Sequence, residues 1–370
     1  MENLGLNNDV LVGGKKFHVQ TNYSESRNAF VANIFLDGAV IDSKEAAYEV
    51  SDDNQNMEEA LRVVHQELIT EMEILYYINE KVSSVRHAAS ANKLGLLFLS
   101  KNLIDEAISQ FKLAQSVDPS LSEVFANLGR AYLLNNVFEE AVAILSEGSE
   151  KAPDFTDIQN YLGIAYLYKK ENKLASIHLQ KAIDLNPDYI GAHYHLGIAL
   201  LARSLESDGT DDALKEEALG FLNLAEKSKA THKIHNFHKV MEKVNEGEFE
   251  KAVNEFLEGN PKEALPHFEN IENEFYLKFM YGGKGKDVSF IAEYVSKLKE
   301  SIDEHPEYAD VHNNLGVANL IQCRNLFLKA IEEFHTALKI NPNFKKAEKN
   351  LKLAENDGKG FLILLRAILK

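Results

Sequence analysis

A single cysteine, Cys323, stands among 370 residues. No intrachain disulfide can form, and thiolate ligation of zinc, haem or an iron–sulfur cluster is excluded for want of ligands. This fits a reducing compartment. No apolar run reaches the roughly 18 residues of a membrane-spanning helix. Residues 1–14 carry acids and asparagines without an apolar stretch, so they do not read as a secretory leader. Basic charge is scarce as well. The 40 lysines and arginines face 57 acids, for a net charge of −17. No basic patch exceeds a few residues, which argues against nucleic acid as a partner. Hydrophobic content of 45% supports a large core and excludes global disorder. The expectation is a soluble cytoplasmic protein, with an acidic bias toward basic partners.

Catalytic signatures are missing too. Gly282-Gly283-Lys284-Gly285-Lys286 has the composition of a phosphate loop. However, Asp287 follows where serine or threonine is needed, and helical residues precede it rather than a buried strand. It reads as a flexible linker. His232, His235 and His238 recur every third residue, a step that drifts around a helix and leaves the outer two about 120° apart. They do not converge on a metal. His193 and His195 point to opposite sides of one helix. Carboxylates are plentiful, yet none sits beside an evident nucleophile, and a groove lacks the enclosed site that acid–base chemistry prefers. No catalytic residue, metal or cofactor is assigned, and the chain is not expected to be an enzyme.

What the chain does contain is repetition. Leu94-Gly95, Leu128-Gly129 and Leu162-Gly163 are 34 residues apart. The same spacing links Phe98, Tyr132 and Tyr166, then Ala107, Ala141 and Ala175, then Pro119, Pro153 and Pro187. A fixed period of this length means stacked supersecondary units. Each unit reads as two helices. Glycine on the first and alanine on the second permit close approach, and proline follows the end of the second, where it stops a helix without disrupting its interior. The pattern resembles the tetratricopeptide repeat. That resemblance implies a mainly α fold, a right-handed α-solenoid of about six helix pairs, and a non-catalytic binding scaffold.

The flanking segments follow other rules. In 1–54, Phe17, Val19 and Thr21 alternate with polar residues, and Phe30–Leu36 is separated from Ala39-Val40-Ile41 by Asp37-Gly38. This predicts a three-stranded antiparallel β-meander from residue 16 onward, similar to the small β region ahead of the repeats in some bacterial tetratricopeptide proteins. In 55–87, Met57, Leu61, Val64, Leu68, Met72, Leu75 and Ile78 form one apolar stripe. A cap on the solenoid is favoured over a coiled-coil seam, because the heptads run only three times. Repeats occupy 88–230. A fourth unit holds Leu196-Gly197 but delays its small residue to Ala218, through an acidic insert near 205–212. Residues 231–308 read as degenerate repeats, with helices around Phe237–Val244 and Phe249–Leu257, a third from Pro261 through Leu265 and Phe268, and a fourth after Asp287. The pattern returns in 309–358 with Leu315-Gly316, Ala330, Phe334, Ala337 and Pro342, two residues longer than the regular unit, followed by a capping helix. Residues 359–370 are an apolar tail broken by Arg366.

In the resembled family the first helix of each pair lines the concave surface. Applied to this register, the resemblance implies a groove of Asn92, Leu96, Leu99, Asn127, Arg130, Leu133, Leu134, Asn160, Ile164, Leu167, Tyr168, Tyr194, Ile198 and Leu201. Asparagine amides there suit a peptide backbone and the aliphatic residues suit apolar side chains. The plain alternative for each leucine is burial between repeats. The family's clamp on a chaperone's C-terminal carboxylate is not expected: Asn92, Leu96, Asp157 and Tyr161 stand where its lysines, arginine and an asparagine belong, and Asn127 alone matches. The expected partner is an apolar or amphipathic protein segment. A homo-oligomer stays open. So does a peripheral membrane or self-assembling role, with the tail docking on its own chain, on a partner or on a membrane surface.

Overall fold

The N-terminal region folds as four antiparallel strands in sequential order: β1 (Gly5–Val12), β2 (Lys15–Ser24), β3 (Ala29–Leu36) and β4 (Ala39–Ala47). This computed structural model describes residues 5–48, 54–206, 211–228, 234, 236–259, 271–304 and 306–355. They fall into two units, 1–273 and 274–370. The sheet corrects the expected three-stranded meander by one strand. β1 is mostly exposed and buries only Val12, so its sequence shows no usable alternation. Its signal is Gly13-Gly14, both at positive φ, as a two-residue hairpin turn requires. Asp37 and Gly38 supply the same geometry between β3 and β4.

Phe17, Val19 and Thr21 of β2 and Phe30, Ala32 and Ile34 of β3 form the buried face of the sheet. It packs on α1 (Asn54–Val85), whose stripe from Met57 to Ile78 is buried. The stripe is therefore occupied within the chain. Polar contacts fix the docking. Thr21 Oγ1 lies 2.8 Å from His65 Nδ1 in the buried layer. Tyr76 of α1 donates to Glu106 at 2.6 Å, and Lys15 pairs with the same carboxylate at 2.7 Å. Gln110 donates to Asn79 at 2.8 Å. Sheet, α1 and first repeat thus form one continuous packing unit.

Five helix pairs follow: α2 (Ala88–Ser100) with α3 (Ile104–Val117), α4 (Ser122–Leu134) with α5 (Phe138–Lys151), α6 (Thr156–Tyr168) with α7 (Asn172–Leu185), α8 (Ile190–Glu206) with α9 (Asp212–Glu226), and α10 (Phe237–Asn245) with α11 (Phe249–Glu258). A Cβ at Gly95, Gly129, Gly163 or Gly197 would strike Phe111, Leu145, Leu179 or Leu222 of the paired helix. Each short turn between paired helices needs one left-handed residue. Asn102, Asn136 and Lys170 provide it at the repeat period, and Gly247 provides it between α10 and α11. That places α10–α11 in phase with the regular repeats: Val240 holds the glycine position and Ala252 the alanine position, both buried. The insert lengthens α8 to 17 residues against 13 in α2; residues 207–210 lie outside the described residues.

The second unit contains most of α12 (Ile271–Met280), a short 3-10 turn (Lys284–Lys286), α13 (Val288–Glu304), α14 (Ala309–Ile340) and a last helix, 345–355. Phe275 stacks on Tyr294 at 3.8 Å, with Ile291, Val295, Leu298, Ala318 and Ile321 around them. Asp287 caps α13 by accepting from the Ser289 and Phe290 N–H groups, and it pairs with Lys284 at 2.9 Å. Hydrogen bonds from Ser289 and Lys284 hold its carboxyl well below the usual range. A fixed carboxylate at this loop is unsuited to phosphate. Residues 309–340 were expected to form a helix pair and instead form one helix. The position seven after Gly316, where the other repeats turn, is Cys323, and the position five before Ala330 is Asn325; both stay inside the helix. The predicted helix from Pro261 through Leu265 and Phe268 falls mainly outside the described residues, as do His232, His235 and the tail 359–370. Among the described residues, no helix is long and apolar enough to cross a membrane.

Two measurements test this packing. Gly163→Ala should lower unfolding free energy by about 1–3 kcal/mol in urea, because the new methyl meets Leu179, itself fully buried, and the Ala175 carbonyl at 3.2 Å. Gly220→Ala on exposed α9, where a Cβ meets nothing, should raise it by up to about 1 kcal/mol. Separately, burial holds His65 below its ordinary range. The unfolded chain takes up that proton near pH 6.5 and the folded chain resists it. The stability tied to neutral His65 is therefore complete above about pH 6.5 and is lost as pH falls. His65→Gln should flatten the decline in urea midpoint between about pH 7 and 5.

Candidate functional site

The first helices α2, α4, α6 and α8 lie side by side in sequence order. Their shared face carries the predicted groove positions. At its near end, Asn127 Nδ2 donates to Asn92 Oδ1 at 2.9 Å, and Asn92 Nδ2 donates to Glu123 at 3.2 Å. The same cross-repeat step recurs two repeats on, where His195 Nδ1 donates to Asn160 Oδ1 at 3.2 Å. Asn160 Nδ2 then reaches the Tyr189 hydroxyl at 3.5 Å, which donates to Asp157 at 2.8 Å. Burial, with Tyr161 and Asp157 nearby, keeps the Tyr189 phenol protonated, and burial pushes Tyr161 up to about 12. The amides assigned to a ligand backbone are thus engaged in joining repeats. Asn92 and Asn160 are buried and Asn127 is half-buried.

At the far end, Ile164, Leu167, Tyr194, Ile198 and Leu201 are buried. The fifth helix pair shares one core with Leu167, Tyr194, Ile198 and Leu201. Phe256 of α11 lies 5.5 Å from the Tyr168 ring and 6.0 Å from those of Tyr194 and His195, while Phe237 of α10 meets Tyr194 at 5.1 Å. Tyr168 stacks on Phe138 at 5.1 Å and donates to the Gly259 carbonyl at 3.3 Å. His193 faces away, donating Nε2 to the Pro187 carbonyl at 2.8 Å. An amphipathic helix of the chain itself therefore occupies the inner face over α6 and α8.

Leu96, Leu99, Asn127 and Leu134 remain half-buried on α2 and α4, beside buried Arg130 and Leu133. The predicted set divides into a half-buried near end, beside which Lys93 of α2 donates to Asn273 of α12 at 3.1 Å, and a covered far end. Phe256 and Phe138 were not among the predicted groove residues. The α11 stripe of Phe249, Val253, Phe256 and Leu257 marked an apolar face without marking what it covers.

Solved structures to which the chain is similar include MamA, at 21% identity over 44% of this chain and 85% of that chain, with a TM-score of 0.36. YrrB, described as a TPR protein with an unusual peptide-binding site, matches at 17% identity over 55% and 94%, with a TM-score of 0.35. TTC0263, a thermophilic TPR protein of Thermus thermophilus, matches at 17% identity over 63% and 100%, with a TM-score of 0.33. No protein-family model matches the chain, and no curated protein matches it.

Phe256→Ala should destabilise the docking of α10–α11 by about 3 kcal/mol. Hydrogen exchange read by mass spectrometry should rise across 237–258 and at Tyr194, and stay unchanged in α2–α5.

Proposed function

We propose that this chain, whose helix pairs are tetratricopeptide repeats by their own period and packing, is a non-catalytic cytoplasmic scaffold. It takes an apolar or amphipathic segment of another protein on the inner face of α2 and α4. The observation that carries this reading is α11. An amphipathic helix with Phe256 at its centre already sits on the same face two repeats further along. The surface therefore has a shape and polarity suited to a helix laid in a groove. Half-buried Leu96, Leu99 and Leu134 continue the inner face on α2 and α4, where among the described residues Asn273 of α12 also reaches Lys93 of α2 at 3.1 Å. Asn127, held by Asn92 through one amide proton, has a second N–H to offer. The net charge of −17 favours a partner segment whose polar face is basic.

The chemistry of the site supports binding rather than catalysis. Its tyrosines are kept protonated, its amides join repeats, and half-buried Leu96, Leu99 and Leu134 are aliphatic. The test is capture of partners by the full chain against a Leu96→Glu/Leu134→Glu variant with an unchanged circular dichroism melt. A partner bound by the wild type should bind the variant at least tenfold more weakly, about 1.4 kcal/mol. Undiminished binding of every captured partner rejects this face as the site.

A further inference from the structure

Gly316 differs from the other repeat glycines. At Gly95, Gly129 and Gly163 the space beside the glycine is filled by a side chain 16 residues further on, from the paired helix. At Gly316 a Cβ would meet nothing. Yet the sequence carries a filler. The pattern here is two residues longer than the regular unit, which puts Ala330 at the alanine position and Phe334 at the position of Phe111. Because 309–340 is one helix, Phe334 lies about 27 Å from Gly316 along the axis. Eighteen residues make about five full turns, so both point to the same side. That side carries Gly316, Leu320, Cys323, Phe327, Ile331 and Phe334, all exposed or half-buried. The packing of the second unit uses the opposite side, where Ala318 and Ile321 are buried.

We propose that this side of α14 is the contact between two copies of the chain. The helices lie antiparallel, and Phe334 of each copy seats over Gly316 of the other. Gap and filler are on the same helix, so one two-fold contact closes both gaps. The same alignment sets Leu320 against Ala330 and Cys323 against Phe327, with small residues opposite large ones. Folding back within one chain needs the left-handed turn that the regular repeats make at Asn102, Asn136 and Lys170, seven residues after the glycine and five before the alanine. Here those two counts give Cys323 and Asn325, and both lie inside one continuous helix, so Phe334 does not reach Gly316 of its own chain.

The test uses the full chain in sedimentation velocity and light scattering, up to roughly 100 µM. A dimer is expected, and a short bis-maleimide should join two copies through Cys323, the only thiol. Gly316→Leu adds a side chain into open space in the single copy, so its melting temperature should hold or rise, while dimer dissociation should increase at least tenfold. Phe334→Glu, at a half-buried site, should also yield monomer. A chain that stays monomeric throughout overturns the proposal, as does a dimer indifferent to both substitutions. A monomer whose melting temperature falls with Gly316→Leu overturns it too, because that chain fills its own gap.

Discussion

Close approach of two helices at a glycine is the contact on which the rest of this structure depends. At Gly95, Gly129, Gly163 and Gly197 the paired helix presses a large side chain against bare backbone. Glycine within a helix costs about 1 kcal/mol of propensity. The cost is offset because the filling side chain is removed from water on all sides, at about 1.5–3 kcal/mol for a leucine or phenylalanine. Everything larger inherits its geometry from this contact. The pair sets the angle of the first helix, the first helices stack into one face, and α11 packs on part of that face.

Much of this is written in short-range pattern. The 34-residue period, the Gly–Ala register and the proline stops give the regular pairs directly, because each feature acts within one helix turn of its own position. Asp37-Gly38 specifies its hairpin for the same reason. What escaped the sequence is long-range or cryptic. β1 is an exposed edge strand whose polar residues show no alternation, and only Gly13-Gly14 betrays it. The two helices of the fifth repeat were legible as a degenerate pair, but Val240 obscures their register by standing where glycine is the rule, although Gly247 and Ala252 keep it. The apolar stripe of α11 was legible, but its destination on Tyr168 and Tyr194 was not. A helix of one face looks the same whether it continues a stack or turns inward onto it.

The groove shows the same division between local and distant information. Counting from the repeat start correctly picks residues on the first helices, since period alone fixes which side of a helix they share. It does not say which are consumed by the chain. Asn92 and Asn160 look suited to a ligand, yet each meets a residue 35 positions further on, Asn127 and His195. A buried amide left unpaired costs about 1–3 kcal/mol, so these links also resist sliding of one repeat past the next. They specify the stack through polar matching, where the leucines around them are tolerant of shift.

The two irregular repeats then differ in one physical respect, the turn. α10–α11 keeps a left-handed glycine at 247, so its second helix reverses and brings Phe256 onto apolar surface within its own chain. In 309–340 the corresponding position is Cys323 and the helix runs on. Its Phe327, Ile331 and Phe334 are carried past the glycine that they match in pattern, and they stay half-buried. A single backbone conformation, αL or αR at the position seven after the glycine, decides whether a repeat satisfies its own apolar face or presents it. In this chain the repeat that closes on itself covers part of the groove, and the repeat that does not leaves a face whose complement is written on the same helix.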